Sequence, residues 1–127
     1  MVPIEVVVDA FNYLALLESA QVVRELAPDM AAIARLDRSG VIVTAPGDGN
    51  YDFVSRYFAP AKGIPEDPVT GGAHCALAPY WARRLGKTAF RAFQASRRGG
   101  EIICRLVGDR VELEGTCVSY LEGEVEI

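Results

Sequence analysis

Histidine occurs once in these 127 residues, tryptophan once and cysteine only three times. An odd cysteine count cannot close a complete disulfide frame, and Cys75, Cys104 and Cys117 show no C-x-x-C spacing. They read as free buried thiols in a reducing, cytoplasmic setting, with neither disulfides nor a zinc or other metal site. A cationic excess is missing too: 13 Lys and Arg stand against 17 Asp and Glu, a net charge of −4. Nucleic acid is bound by clustered cations that displace counterions from phosphates, so it is not expected as a partner. Pairs such as Arg83-Arg84 and Arg97-Arg98 are too small for that work. No apolar run approaches the roughly 20 residues that span a bilayer, and no cationic start precedes the first apolar segment. Neither membrane association nor a signal peptide is expected. Internal repeats, low-complexity tracts and linkers are also lacking. What is present is a chain that is 50% hydrophobic. At this length it buries about two-thirds of its unfolded surface and reads as one domain over residues 1–127.

The periodicity of the apolar residues changes along the chain. Ile4 to Leu17 is rich in β-branched and aromatic residues and reads as one or two strands, broken near Asp9–Asn12. From Ser19 to Leu36, apolar residues recur at three- and four-residue steps, as on a helix face. Ser19 is placed to cap it, and Pro28 divides it into two short helices. Val41–Ala45 and Tyr51–Ala59 read as strands around the turn Pro46–Asn50, and the proline-rich stretch Pro60–Pro68 as a loop. Gly72 to Leu85 is the strongest helical segment, ended by Gly86 and interrupted by Pro79, which predicts a kink. Its apolar residues leave little polar face before Arg83, so it is expected to be buried on most sides, with Cys75 as a small buried hydrophobe. Strands follow at Ala89–Ala95, Glu101–Val107, Arg110–Glu114, Thr116–Leu121 and Glu124–Ile127. The expected fold class is α+β, a curved and mostly antiparallel sheet wrapped on one buried helix.

Chemistry concentrates in Glu66–His74, where a loop with two acids feeds the buried helix through Gly71 and Gly72. The first turn of a helix carries unpaired N–H groups and the positive end of the macrodipole. Glycines there admit a ligand to the backbone, and such a turn holds a carboxylate without a cationic side chain. Asp67, just ahead of it, is placed to give or take a proton. The same residues also suit plain capping and close packing. His74 has two readings: a satisfied core histidine, or a pocket residue in the first helical turn. Cys75 and His74 are adjacent and point in different directions, so they do not make a nucleophile pair. Gln94–Gly100, polar and glycine-rich, either closes a ligand pocket or forms a solvated turn.

These strings carry a resemblance. EDPVTGGAHC (Glu66–Cys75), PYWARRLGK (Pro79–Lys87), QASRRGG (Gln94–Gly100) and SRYFAP (Ser55–Pro60) resemble the phenazine-biosynthesis PhzF-like isomerase family in order and spacing. The likeness covers nearly the whole chain and matches the C-terminal of the family's two domains. It implies one half of a diaminopimelate-epimerase-like fold, a barrel-like sheet around a central helix, with the active site between halves. It also implies cofactor-independent proton chemistry on a small carboxylate-bearing metabolite. By position, Asp67 matches the aspartate of the family's DPxTGS motif and assists the general acid/base glutamate. Thr70, Gly71, Gly72 and Ala73 match the substrate-binding turn, and His74 matches a histidine common after it and is carried with Asp67 as a catalytic residue. Ser96, Gly99 and Gly100 fall in the second matching loop and are carried as substrate contacts. Gly72 stands where the family usually has serine, so one hydroxyl contact is replaced by a bare backbone amide. The family's GNPAA-type motif, beside which its glutamate lies, has no counterpart here.

Two functional classes are therefore expected. One is an isomerase or epimerase half that takes its glutamate from a complementary N-terminal-type half. The other is a non-catalytic homodimeric module that keeps the carboxylate-binding helix start. Either leaves an inner face that needs covering, which predicts a homodimer or a complementary partner.

Overall fold

The computed structural model describes residues 2–127. Seven strands form one mixed sheet in the order of the chain: β1 (Glu5–Val8), β2 (Asn12–Leu16), β3 (Gly40–Pro46), β4 (Phe53–Phe58), β5 (Ala89–Gln94), β6 (Gly100–Val107) and β7 (Arg110–Glu114). The pairs β1–β2, β3–β4, β5–β6 and β6–β7 are antiparallel. The pairs β2–β3 and β4–β5 are parallel. Parallel neighbours need a crossover, and the helices supply it. The first crossover carries α1 (Ala20–Glu25) and α2 (Met30–Ala34). The second carries α3 (Gly71–Leu85).

Local chemistry accounts for the helix boundaries. Ser19 Oγ accepts from the Val22 N–H at 3.2 Å, and Asp29 Oδ1 accepts from the Ala32 N–H at 3.0 Å. These caps start two helices on either side of Pro28, as the sequence predicts. At the end of α3, Gly86 turns with a φ of 65° and donates to the Ala82 carbonyl. The left-handed region favours glycine, which has no Cβ to clash.

The sheet is covered on both faces, and its pleat sorts the residues between them. Ile42, Phe53, Phe90 and Ile102 pack with Leu77 and Trp81 of α3. Their alternates Val43, Val54 and Phe58 pack with Ala20 and Val23 of α1. Trp81 locks α3 down: its ring stacks on Phe53 at 5.7 Å between centroids, with 7° between planes. Its Nε1–H donates to Thr44 Oγ1 at 3.1 Å, and the buried Thr44 hydroxyl donates to the Val54 carbonyl at 2.7 Å. A buried hydroxyl is thereby satisfied on both sides. Among the described residues no helix is long and apolar enough to cross a membrane.

Three expectations are corrected. First, α3 is not buried all round: Gly72, Cys75 and Arg83 are exposed, and Ala76 and Pro79 half-buried, along one open strip. A run of small apolar residues specifies a close approach but not what approaches, and here only one side of the helix meets the sheet. Second, only Cys104 is a buried thiol; Cys75 and Cys117 are exposed. Third, Thr116–Leu121 and Glu124–Ile127 are not strands. The sheet ends at β7, and every residue from Glu112 to Ile127 is exposed. Strand patterning without a neighbouring edge leaves backbone groups unpaired, so no ladder forms.

Candidate active site

The loop before α3 is held by hydrogen bonds to its backbone. The Asp67 N–H donates to the Tyr57 carbonyl of β4 at 3.1 Å. The Asp67 carbonyl accepts from Gln94 Nε2 at 2.9 Å. Gln94 Oε1 in turn accepts from the Thr70 N–H at 2.7 Å, and Nε2 also donates to Thr70 Oγ1 at 3.0 Å. With the amide occupying that lone pair, the Thr70 hydroxyl donates to Asp67 Oδ2 at 2.6 Å. Gln94 is 1% exposed, so these bonds form out of water, where an unmade one is costly. Asp67 itself is only half-buried.

Directing the Thr70 hydroxyl at Asp67 has an effect on α3. Thr70 is the N-cap residue, yet its side chain caps nothing, and the first turn holds no acidic residue. The N–H groups at the start of a 15-residue helix are left without a side-chain acceptor. Gly72, in that turn, is exposed, and a Cβ built on it would meet nothing within 4 Å. Glycine costs helix propensity, and packing gives no reason for it at this position.

Asp67, Thr70 and Gly72 open on one groove of about 840 Å³. Its opposite wall is the end of β1 and the β1–β2 turn, with Val8 and Phe11, and the α3 strip continues it through Cys75 and Pro79. Tyr80 lies at its floor. Burial, then a 2.5 Å hydrogen bond to the Glu5 carboxylate, pushes its hydroxyl up to about 12. The groove is therefore lined by apolar side chains interspersed with Asp9, Asn12, Lys62, Asp67, Thr70 and Arg83, a mixture usual in a small-molecule site.

The remaining sequence-expected residues lie elsewhere. Ala73 and His74 are core residues and do not line the groove. The His74 ring is fully buried 6.1 Å from Phe53 and bonds the Thr70 carbonyl through Nδ1 at 2.7 Å. Burial holds its pKa below the ordinary value, which keeps it neutral, and Nε2 has no partner. Of the two readings left open by the sequence, its position is that of a core histidine. Ser96 lines a separate depression of about 400 Å³, and Gly71, Gly99 and Gly100 a third of about 430 Å³. Ser96 supports the Asp67 loop from behind, donating to the Pro68 carbonyl at 2.7 Å. Gly100 is glycine for space, since a Cβ there would come within 2.3 Å of Val69 Cγ2.

Arg56 is the residue that sequence reasoning missed, and Gln94 was singled out only as part of the loop Gln94–Gly100, with no role of its own. Arg56 forks onto Glu66 at 2.8 and 2.9 Å and also donates to the Val23 and Leu26 carbonyls at the end of α1. It ties the residue next to Asp67 to the other face of the sheet. A signal for Gln94 existed: Phe90, Ala92 and Gln94 fall on the buried side of β5, and a buried amide requires partners.

A family model described as phenazine biosynthesis-like protein matches residues 2–123. The chain belongs to the phenazine biosynthesis-like protein family. An uncharacterized isomerase of Pseudomonas aeruginosa is 53% identical over 125 residues, which are 98% of this chain and 48% of that protein. One of Halalkalibacterium halodurans is 45% identical over 124 residues, 97% of this chain and 47% of that protein. The crystal structure of a phenazine biosynthesis protein of the PhzF family from Enterococcus faecalis superimposes with a TM-score of 0.86 at 43% identity. It covers 90% of this chain and 44% of its own. The chain thus spans about half the length of the curated relatives it matches. In this PhzF-like chain, Asp67, Thr70 and Gly72, three residues of a string that carries the resemblance, line the groove.

Proposed function

We propose that this chain is the C-terminal-type half of a cofactor-independent isomerase or epimerase, working by proton transfer on a small carboxylate-bearing metabolite in the cytoplasm. The sheet and α3 make one half of a diaminopimelate-epimerase-like fold, barrel-like around a central helix. The first turn of α3 holds the substrate carboxylate on its N–H groups, with Gly72 leaving room for close approach. Asp67, oriented by Thr70, faces the reacting carbon's proton path. A glutamate from a complementary half lifts a proton from carbon, and the proton returns at another position or face. Proton abstraction from carbon needs a base within hydrogen-bond reach, and the acids on this half of the groove are Asp9 and Asp67. The observation that carries this reading is the meeting of Asp67 with an uncapped, glycine-bearing helix start in one open groove.

The test is a titration of ¹⁵N-labelled protein with a panel of small carboxylates, read at the Gly71 and Gly72 amides. Saturable shifts are expected, and Gly72→Leu, whose side chain enters open space, should abolish them while leaving the fold intact. Silence of both amides toward every carboxylate would sink the proposal. For the chemical step, deuterium uptake from D₂O into bound ligand, measured with the complementary half present, should vanish in Asp67→Asn while binding persists.

The homodimeric, non-catalytic module is the second reading. It is favoured by the open apolar rim of the groove, where Phe11 is 68% exposed. Carboxylate binding without deuterium uptake under any pairing would select it.

A further inference from the structure

Two partners compete for the Thr70 hydroxyl, and local chemistry favours the one it does not take. Threonine is a preferred N-cap, and the Thr70 backbone already holds the extended conformation of that position, with φ −119° and ψ 104°. A capping oxygen accepts from the N–H two or three residues on, here that of Gly72 or Ala73. Only a rotation of the side chain separates that arrangement from the observed one. The hydroxyl nevertheless caps nothing and bonds Asp67.

Gln94 is what holds it away from the helix. Its amide has an acceptor oxygen and two donor hydrogens, and all three are used. The oxygen takes the Thr70 N–H, and the two hydrogens go to the Asp67 carbonyl and to Thr70 Oγ1. A flipped amide would set donor against the Thr70 N–H and acceptor against the Asp67 carbonyl, so one orientation alone is satisfied. One hydrogen is thus fixed on Thr70 Oγ1, which sends its own proton to the Asp67 carboxylate. Neither side of this clamp is loose. Gln94 is fully buried on β5, and the Thr70 carbonyl is bonded by His74 Nδ1 at 2.7 Å. Glutamate, when ionised, has no hydrogen to give, and asparagine is one methylene short.

We propose that Gln94 is a positioning residue that keeps the start of α3 uncapped and so open to a substrate carboxylate. The proposal rests on the reading that this turn receives such a group. Gln94 does not line the groove and acts through Thr70. Holding Thr70 against Asp67 sets two parts of the site at once. The N–H groups at the helix start stay free, and the carboxylate ahead of them is fixed. Without Gln94 the Thr70 hydroxyl turns onto the helix and competes with the substrate for the same N–H groups. An N-cap bond of ordinary strength weakens carboxylate binding by about fivefold.

Gln94→Met, similar in size and without a donor, tests this in the full chain, with circular dichroism to check the fold. In the ligand-free variant, three-bond couplings should show the Thr70 side chain leaving its wild-type rotamer. Affinity for benzoate, followed at the Gly71 and Gly72 amides, should fall by about fivefold. Gln94→Met/Thr70→Val should bind benzoate more tightly than Gln94→Met, because no hydroxyl remains to cap the helix. General damage to the loop would not be repaired by a second substitution. Asp67→Ala gives a check that does not depend on Gln94→Met folding: Gln94 still holds Thr70, so its rotamer should stay. An unmoved Thr70 in Gln94→Met, no recovery in the double variant, or a changed rotamer in Asp67→Ala would each overturn the proposal. Absence of benzoate shifts in the wild-type chain would count against the carboxylate reading, and the two rotamer measurements would still decide the role of Gln94.

Discussion

His74 binds the Thr70 carbonyl through Nδ1 and leaves Nε2 without a partner in an apolar surround, so a second proton finds no acceptor there. Burial lowers its pKa from 6.5. The unfolded ring takes a proton near pH 6.5 while the folded one resists, so below that pH the unfolded chain binds more protons. The contribution to stability is complete above about pH 6.5 and is lost as pH falls, by up to about 1.4 kcal/mol per unit until the folded-state pKa is reached. Urea unfolding is expected to show a lower midpoint at pH 5.5 than at pH 7, and His74→Leu should remove that part of the slope. A midpoint that does not move in the wild-type protein would contradict it. At this scale Asp67, Thr70 and Gly72 were legible in the sequence, because short motifs bring their own geometry. Gln94 was legible as part of a candidate loop and as a buried amide of β5, but not as the partner of Asp67 and Thr70. Its three hydrogen bonds go to a loop 24 to 27 residues away, and no local pattern announces such a partner.

Arg56 joins elements that are distant in the chain. Its guanidinium fork on Glu66 is largely buried, at 12% and 20% side-chain exposure, and it lies 4.9 Å over the Phe58 ring. It also takes up two carbonyls near the end of α1, where the last turn of a helix has unsatisfied acceptors. Arg56→Met keeps the stem and removes the fork, leaving the Glu66 charge half-buried and α1 uncapped. A loss of about 2–3 kcal/mol is expected in chemical denaturation, less than a fully buried pair because water still reaches one side. Arg56→Lys should recover only part of it, since a single ammonium cannot reproduce two parallel bonds. The elements themselves were legible: the three helices and seven strands begin and end within a few residues of where capping, periodicity and glycine place them. The two final strands failed because periodicity reports a suitable surface and says nothing of an available edge.

Stability across the whole molecule follows from how the two faces are covered. β3 and β4 are packed on both sides, by α3 and by α1 with α2, and Ile42, Phe53 and Val54 are fully buried. β7 is covered only through α3, and four of its five residues are exposed. Amide hydrogen exchange should therefore be at least about a hundredfold slower at Ile42 and Val54 than at Glu112 and Glu114. Equal protection across these strands would mean that the sheet opens as a unit.

Read alone, the sequence determined the α+β class, the order of elements, the family, and the motif that meets the groove. These follow from local rules, in which capping, pleat and short strings act within a few residues. Only the tertiary structure decided which side of α3 stays open and that Asp67 is oriented through Thr70 and Gln94. It also decided that His74 belongs to the core, and that the last twelve residues find no edge in their own sheet. Each of those depends on what packs against a residue from far along the chain, and burial is a property of the assembled surfaces.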